Sequence, residues 1–196
     1  GPLQSYGQMY LDAFTVGLDY ATEGTGQVNG RTIEVATADD AGDPAKAATA
    51  ATDFIGQGYQ ILAGSASSGV GLQVAPLAAE NQVLFISGPA ASDAITGINK
   101  YTFRSGRQTY QDVATAATYL GKTSGKNVLV FAQDSAFGQG NFAAVKAIVG
   151  GKGHNVSSIY VPLSATDFTP FAQQAKQAKP DVLFVAWAGT TAPQMW

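Results

Sequence analysis

The spacing of apolar and polar positions along this chain switches repeatedly between a helical and a strand period. Tyr6, Met9, Tyr10, Ala13, Phe14, Gly17 and Ala21 recur at i, i+3, i+4 intervals. That spacing predicts a helix over 5–21 with one buried face, and Ser5 is its candidate N-cap. Gly24, Gly26 and Asn29-Gly30 end it in a turn. Residues 32–38 alternate and are rich in β-formers, so they predict a strand. Asp43-Pro44 opens the next helix, with Asp as cap and Pro at the first helical position. Ala47, Ala48, Ala51, Phe54 and Ile55 form its inner face. A short apolar run at 59–64 predicts a second strand. The small-residue loop from Ser65 to Gly71 then leads into a helix through Val74, Leu77 and Ala78. A third strand at 83–86 is broken by Gly88-Pro89, and a brief helix covers 93–96. A short strand follows at 101–104.

The alternation then restarts. Helices are expected near 109–121, 139–150 and 167–178. Strands are expected at 128–132, 158–161 and 182–186. The strands are apolar on both faces, as strands covered by helices on both sides must be. The fold class is therefore α/β with parallel sheets. Two βαβ blocks meet near 105–111, which divides the chain into a first lobe at 1–106 and a second at 107–196.

Composition narrows the chemistry. Charged residues make up only 13% of the 196, and the net charge is -3. Nucleic-acid binding needs Lys and Arg on phosphates, and no basic run exists to supply them. There is no Cys, so no disulfide, thiolate metal site or Cys nucleophile is available. No stretch approaches the roughly 18 apolar residues of a transmembrane helix.

The motifs point away from catalysis. Residues 116–123 approximate a phosphate loop, but position 116 is Ala and the segment ends a helix, where such a loop would open one. Gly121 reads better as a helix C-cap. Ser65-Ala66-Ser67-Ser68-Gly69 approximates a nucleophile elbow without its first Gly. A hydrolytic Ser also needs a His base. The only His is His154, expected in a surface turn. The same serines suit anion capture, with hydroxyls and free amides at a helix N-terminus. Asp39, Asp40 and Asp43 supply too few oxygens for a hard cation. Asp43 reads as a helix cap, and Asp39 or Asp40 as a turn brace. Gly138-Gln139-Gly140 is an incomplete dinucleotide signal, with Ala at the third Gly position. Phe137 and Trp187, each just past a strand, are either core plugs or cleft walls.

Three stretches fall where open α/β sheets place ligands, at the carboxyl ends of strands. They are Gly1-Pro2-Leu3-Gln4-Ser5-Tyr6-Gly7, Asp39-Asp40-Ala41-Gly42-Asp43-Pro44 and Asp134-Ser135-Ala136-Phe137-Gly138-Gln139-Gly140. Together with Ser67-Ser68-Gly69-Val70, the run from Phe85 to Ser92, and Phe103-Arg104, they run in order over the whole chain. In that order they resemble the type I periplasmic binding proteins, and within them the leucine/isoleucine/valine-binding family of ABC transporter substrate-binding proteins.

The resemblance implies two Rossmann-like lobes joined by a hinge and closing on a small molecule. It implies no cofactor, no metal and no catalysis. The protein would be exported, periplasmic or extracellular, with lipid anchoring left open. It would act as a monomer, handing an amino acid or carboxylate to membrane permease subunits. Carried over by position, Ser68 with Ser67 and Gly69 would hold a carboxylate. Ala90 and Ala91 would meet the ammonium or carboxylate. Tyr6 would flank the ligand, and Phe137 would face it from the second lobe. Position 91, often Thr in the amino-acid binders, is Ala, with Ser92 beside it as a substitute. Position 137, usually Tyr, is Phe. Loss of polar partners shifts a site toward less polar ligands, and Phe137 with Trp187 would suit an aromatic or apolar carboxylate. The resemblance further implies a strand before Gly1 and more chain after Trp196, and hence weak ligand binding by residues 1–196 alone. The same fold in a ligand-sensing domain of a receptor or regulator is the alternative reading. An α/β hydrolase is a more remote one.

Overall fold

The computed structural model describes residues 1–196. Its first half opens with α1 (Gln4–Ala21) and a small antiparallel hairpin of β1 (Gln27–Val28) and β2 (Arg31–Thr32). Then come α2 (Pro44–Gly56), β3 (Ile61–Gly64), α3 (Ser68–Glu80), β4 (Leu84–Ser87) and β5 (Thr102–Arg104). The last three strands form a parallel sheet in the order β3-β4-β5. Asp43 caps α2 by accepting from the Ala45 and Lys46 N–H groups, with Pro44 fixing the first turn. Ala47 and Ala51 on α2 pack with Val70, Val74, Ala75 and Ala78 on α3 over Leu62 and Phe85 of the sheet. The small side chains let the two helices approach closely at interior packing density.

The second half contains α4 (Thr109–Ala116), β6 (Asn127–Gln133), α5 (Ala136–Ile148) and β7 (Asn155–Val161). It continues with α6 (Thr169–Ala178), β8 (Val182–Ala186) and the short α7 (Ala192–Met195). The parallel order is β7-β6-β8, so β6 is central. All but the first of its residues are buried, which is why this strand reads as an uninterrupted apolar run. Val113, Val130, Ala132, Val145 and Ala186 belong to one core of this half.

Several elements depart from expectation. Residues 32–38 do not form a strand; only Arg31–Thr32 pair, and Ile33 and Val35 stay exposed. A strand exists through its ladder partner, and none pairs with this segment. None of the residues of α1 is fully buried. Its firmest contact is Tyr10 lying over Gly88, where a Cβ would come within 2.8 Å of the ring. Ser5 is not the N-cap. The Gln4 N–H donates to Gly1 O and the Gly7 N–H to Leu3 O, so the backbone starts the helix one residue earlier. The helix expected near 109–121 tightens to a 3-10 turn over Ala117–Leu120, stopped by Gly121 at φ 56°. Ser135 caps α5, which starts three residues ahead of the predicted position, and β7 extends back to Asn155.

Candidate ligand-binding site at the carboxyl end of the first sheet

Two loops converge where β3 and β4 end. The first runs from Ser65 into α3. Ser67 is the N-cap, accepting from the Val70 N–H, and Ser65 Oγ accepts from the Ser67 N–H at 3.1 Å. The second loop carries Ala90, Ala91 and Ser92. The Ala90 N–H donates to Ser65 O at 3.2 Å, and the Ser92 N–H donates to Ser68 Oγ at 3.2 Å. Ser68 is only 4% exposed. Ser67, Ser68, Gly69, Ala90, Ala91 and Ser92 are thus brought together in one ridge. The amide N–H groups of Ser68, Gly69 and Ala91 donate to no protein acceptor. At the first turn of α3 these donors sit at the positive end of the helix dipole.

Arg104, at the end of β5, braces the ridge from behind. Its guanidinium donates to Ala90 O, to Ser92 O at 3.1 Å and to Thr96 Oγ1 at 2.9 Å. Burial pulls its pKa below the usual guanidinium value, opposed by Asp93 and reinforced by Arg107. Thr109, at the start of α4, donates both its N–H and its hydroxyl to Ala91 O, at 2.9 and 3.0 Å. Arg104 and Thr109 were not assigned roles from sequence. An Arg closing an otherwise apolar strand was the available signal for the first; Thr109 gave none.

The other expected residues lie around this ridge. Tyr6 lines a neighbouring apolar cleft of about 260 Å³ with Met9, Tyr10, Gly88-Pro89 and Ser105-Gly106. Burial there pushes the Tyr10 hydroxyl above its usual pKa. Gly1 packs on Ala41 and Gly69 lies against Pro44, so the opening residues, the Asp39–Pro44 turn and the serine loop form one neighbourhood. Within that turn Asp39 and Asp40 accept from the Ala41 and Gly42 N–H groups, and Asp43 is committed to α2. From the second half, Gly140 comes within reach of Ser92: a Cβ there would lie 4.0 Å from Ser92 Oγ. Phe137, in the same helical turn, packs half-buried on the second core. Trp187 stacks on Phe131 at 5.8 Å and meets Phe168 edge-on at 5.3 Å, while its indole N–H donates to Thr191 Oγ1. Gln133, missed from sequence, ties the carboxyl end of β6 to this region by accepting from the Ala188 N–H.

His154 is not in an exposed turn. It is 5% exposed, and its Nδ1 accepts from the Lys126 N–H. The side chain fills the space between the chain ends entering β6 and β7, which hides it. It lies at the amino end of β7, whereas Ser68 lies past the carboxyl end of β3, so the two form no nucleophile–base pair.

Open α/β folds place small molecules at the carboxyl ends of their strands, which is where this donor-lined ridge lies. The model of the periplasmic binding protein family matches residues 1–196, and the chain belongs to that family. The Leu/Ile/Val-binding protein BraC3 of Rhizobium johnstonii is 28% identical over 188 residues, covering 94% of this chain and 51% of its own. The structure of an ABC-type branched-chain amino acid transporter from Rhodopseudomonas palustris is 36% identical and matches with a TM-score of 0.69, covering 100% of this chain and 55% of that one. An ABC transporter solute-binding protein from R. palustris, in complex with 4-hydroxybenzoate, is 28% identical with a TM-score of 0.74 and covers 88% of this chain and 48% of that one. The chain spans about half the length of the curated relatives it matches. No helix is long and apolar enough to cross a membrane.

Proposed function

We propose that this chain is part of an extracytoplasmic solute-binding protein serving an ABC importer. It takes a branched-chain or related amino acid or a small carboxylate and delivers it to permease subunits. The observation that carries this reading is the ridge where the Ser65–Gly69 and Ala90–Ser92 loops meet, with three free N–H donors and the Ser68 hydroxyl beside them. Such a group is suited to a carboxylate. Residues 1–106 and 107–196 act as lobes hinged near 105–111. Ligand contacts from both sides stabilise the closed state, so binding shifts a population between open and closed forms. Phe137 and Trp187 supply apolar surface from the second lobe, and Tyr6 flanks the ligand. No step of this cycle makes or breaks a covalent bond.

A thermal-shift screen of the protein as its gene encodes it tests the reading. Amino acids, aromatic carboxylates and short aliphatic carboxylates form the panel, with sugars and nucleosides as controls. A ligand bound only by the native state raises the melting temperature by mass action. The expected result is a rise with at least one carboxylate. Rises confined to the controls would sink the reading.

A further inference from the structure

Helix α4 packs in one half of the molecule and is capped by the other. Val113 on α4 and Ala117 just past its end are buried with Val128, Val130 and Val145 in the second core. A helix leaves its first N–H groups without partners inside itself. In α4 two of these groups turn to the first lobe. The Thr109 N–H and hydroxyl both donate to Ala91 O, at 2.9 and 3.0 Å. The Tyr110 N–H is shared between the two carboxylate oxygens of Asp93, at 3.0 and 3.1 Å. Just ahead of the helix, Gln108 Nε2 donates to Thr96 Oγ1 at 2.6 Å, and Arg104 donates to the same hydroxyl. Only the Gln111 and Asp112 N–H groups stay local, on Gln108 O. Elsewhere the boundary is held more lightly. Pro2 O accepts from the Thr190 N–H at 3.1 Å, between two exposed residues. The loop carrying Thr190 belongs to the second lobe, through the Ala188 N–H on Gln133 and the Trp187 indole on Thr191.

We infer that the first turn of α4 is the pivot of lobe opening: it stays bonded to the first lobe while the Pro2–Thr190 contact parts. Ala91 and Thr109 are buried. Pulling them apart would strand a carbonyl, an amide and a hydroxyl together, away from water. The Asp93 bond adds a charged acceptor, which makes it stronger than a neutral one. Parting Pro2 from Thr190 merely exchanges one exposed hydrogen bond for water. In a rotation, atoms move in proportion to their distance from the axis. Bonds that survive the motion therefore lie close to that axis, and the first turn of α4 is where they are concentrated. Asp93 and Thr109 act as positioning residues. Through Ala91 O they fix the second lobe's approach to the ridge. This inference rests on the two-lobed opening and closing proposed above.

Native-state hydrogen exchange of the ligand-free protein as its gene encodes it tests the inference. The Thr190 amide should exchange at least about 10-fold faster than those of Thr109 and Tyr110. Equally slow exchange at all three would mean that the lobes do not part, which overturns the opening cycle and the pivot with it. Exchange at Thr109 and Tyr110 as fast as at Thr190 would overturn the pivot and leave the cycle standing. A second measurement separates lobe motion from fraying of the Thr190 loop. Nitroxide labels on Thr49→Cys in α2 and Gln173→Cys in α6 report the distance between the lobes by electron spin resonance. Asp93→Ala should broaden the distribution of that distance. Asp93→Asn, which keeps an acceptor for the Tyr110 N–H, should restore it. A distribution unmoved by Asp93→Ala would overturn the assignment. The exchange measurement needs no substitution, so it decides the matter even where Asp93→Ala fails to fold.

Discussion

The two parallel sheets are built from the same kind of unit and settle differently. In the second, β6 is seven residues long, has a parallel partner on each side and is buried along all but its first residue. In the first, the strands are three or four residues long, and β3 forms an edge with Ile61 59% exposed. The extended segment before α2 forms no strand beyond Thr32, and α1 has no fully buried residue. The contrast teaches where each half keeps its order. The second sheet is anchored by packing. The first concentrates its order at the strand ends, in hydrogen bonds among Ser65, Ser68, Ala90, Ser92, Arg104 and Thr109.

The largest effect should come at the turn leaving β6. A Cβ on Gly138 would lie 1.9 Å from Gln133 O, a backbone atom that cannot step aside. Gly138→Ala is expected to cost about 3 kcal/mol or more by urea denaturation. Gly140→Ala, two residues on and free of close contacts, should be neutral or stabilising by up to about 1 kcal/mol. Equal effects at the two positions would break the account of this turn.

Next comes packing itself. Val130 in the second sheet is fully buried, whereas Ile61 on the first sheet's edge is largely exposed. Val130→Ala should destabilise by about 2 kcal/mol and Ile61→Ala by less than about 0.5 kcal/mol. Comparable losses would mean that the edge of β3 is covered in solution. At the ridge, Ser68→Ala removes the acceptor of the Ser92 N–H and, on the proposed reading, a donor to the ligand. Affinity in titration should fall by about 1–3 kcal/mol, and an unchanged affinity would remove Ser68 from the site.

The smallest effect is a pH dependence. The Asp167 carboxylate accepts from the Thr169 N–H at the start of α6, which lowers its pKa below 3.8. A lowered folded-state pKa adds stability above the unfolded value that is lost as pH falls through the folded one. Asp167 is exposed, so the change should be slight and confined to pH below about 3.8. A carbon-detected NMR titration would read it, and a midpoint above the ordinary Asp range would contradict the hydrogen bond.

The fold class was legible because period and length agree with tertiary burial in the second half: the run at 128–132 cannot be other than a covered strand. It was less legible where an element depends on a distant partner. The alternation at 32–38 is a strand pattern, but pairing is not encoded in the segment itself. The free amides of the serine loop were legible, because Ser and Gly before a helix leave its first N–H groups without partners. The bracing of the Ala90–Ser92 carbonyls was not, since it requires Arg104 and Thr109 to fold back across the sheet end. His154 was misread because a Gly-flanked residue looks exposed until the chains entering β6 and β7 close around it.

One contact links the beginning of the chain to its far end. Pro2 O accepts from the Thr190 N–H, and Gly189, at φ 95°, lies too close to Pro2 to carry a side chain. This clasp spans nearly the whole chain, so the entropy of closing so long a loop delays it until β8 is in place. The segment leading into α1 therefore waits, undocked, until Thr190 has been made and placed. Pulse-labelled hydrogen exchange during refolding should find the Thr190 amide among the last to gain protection, well after those of β6.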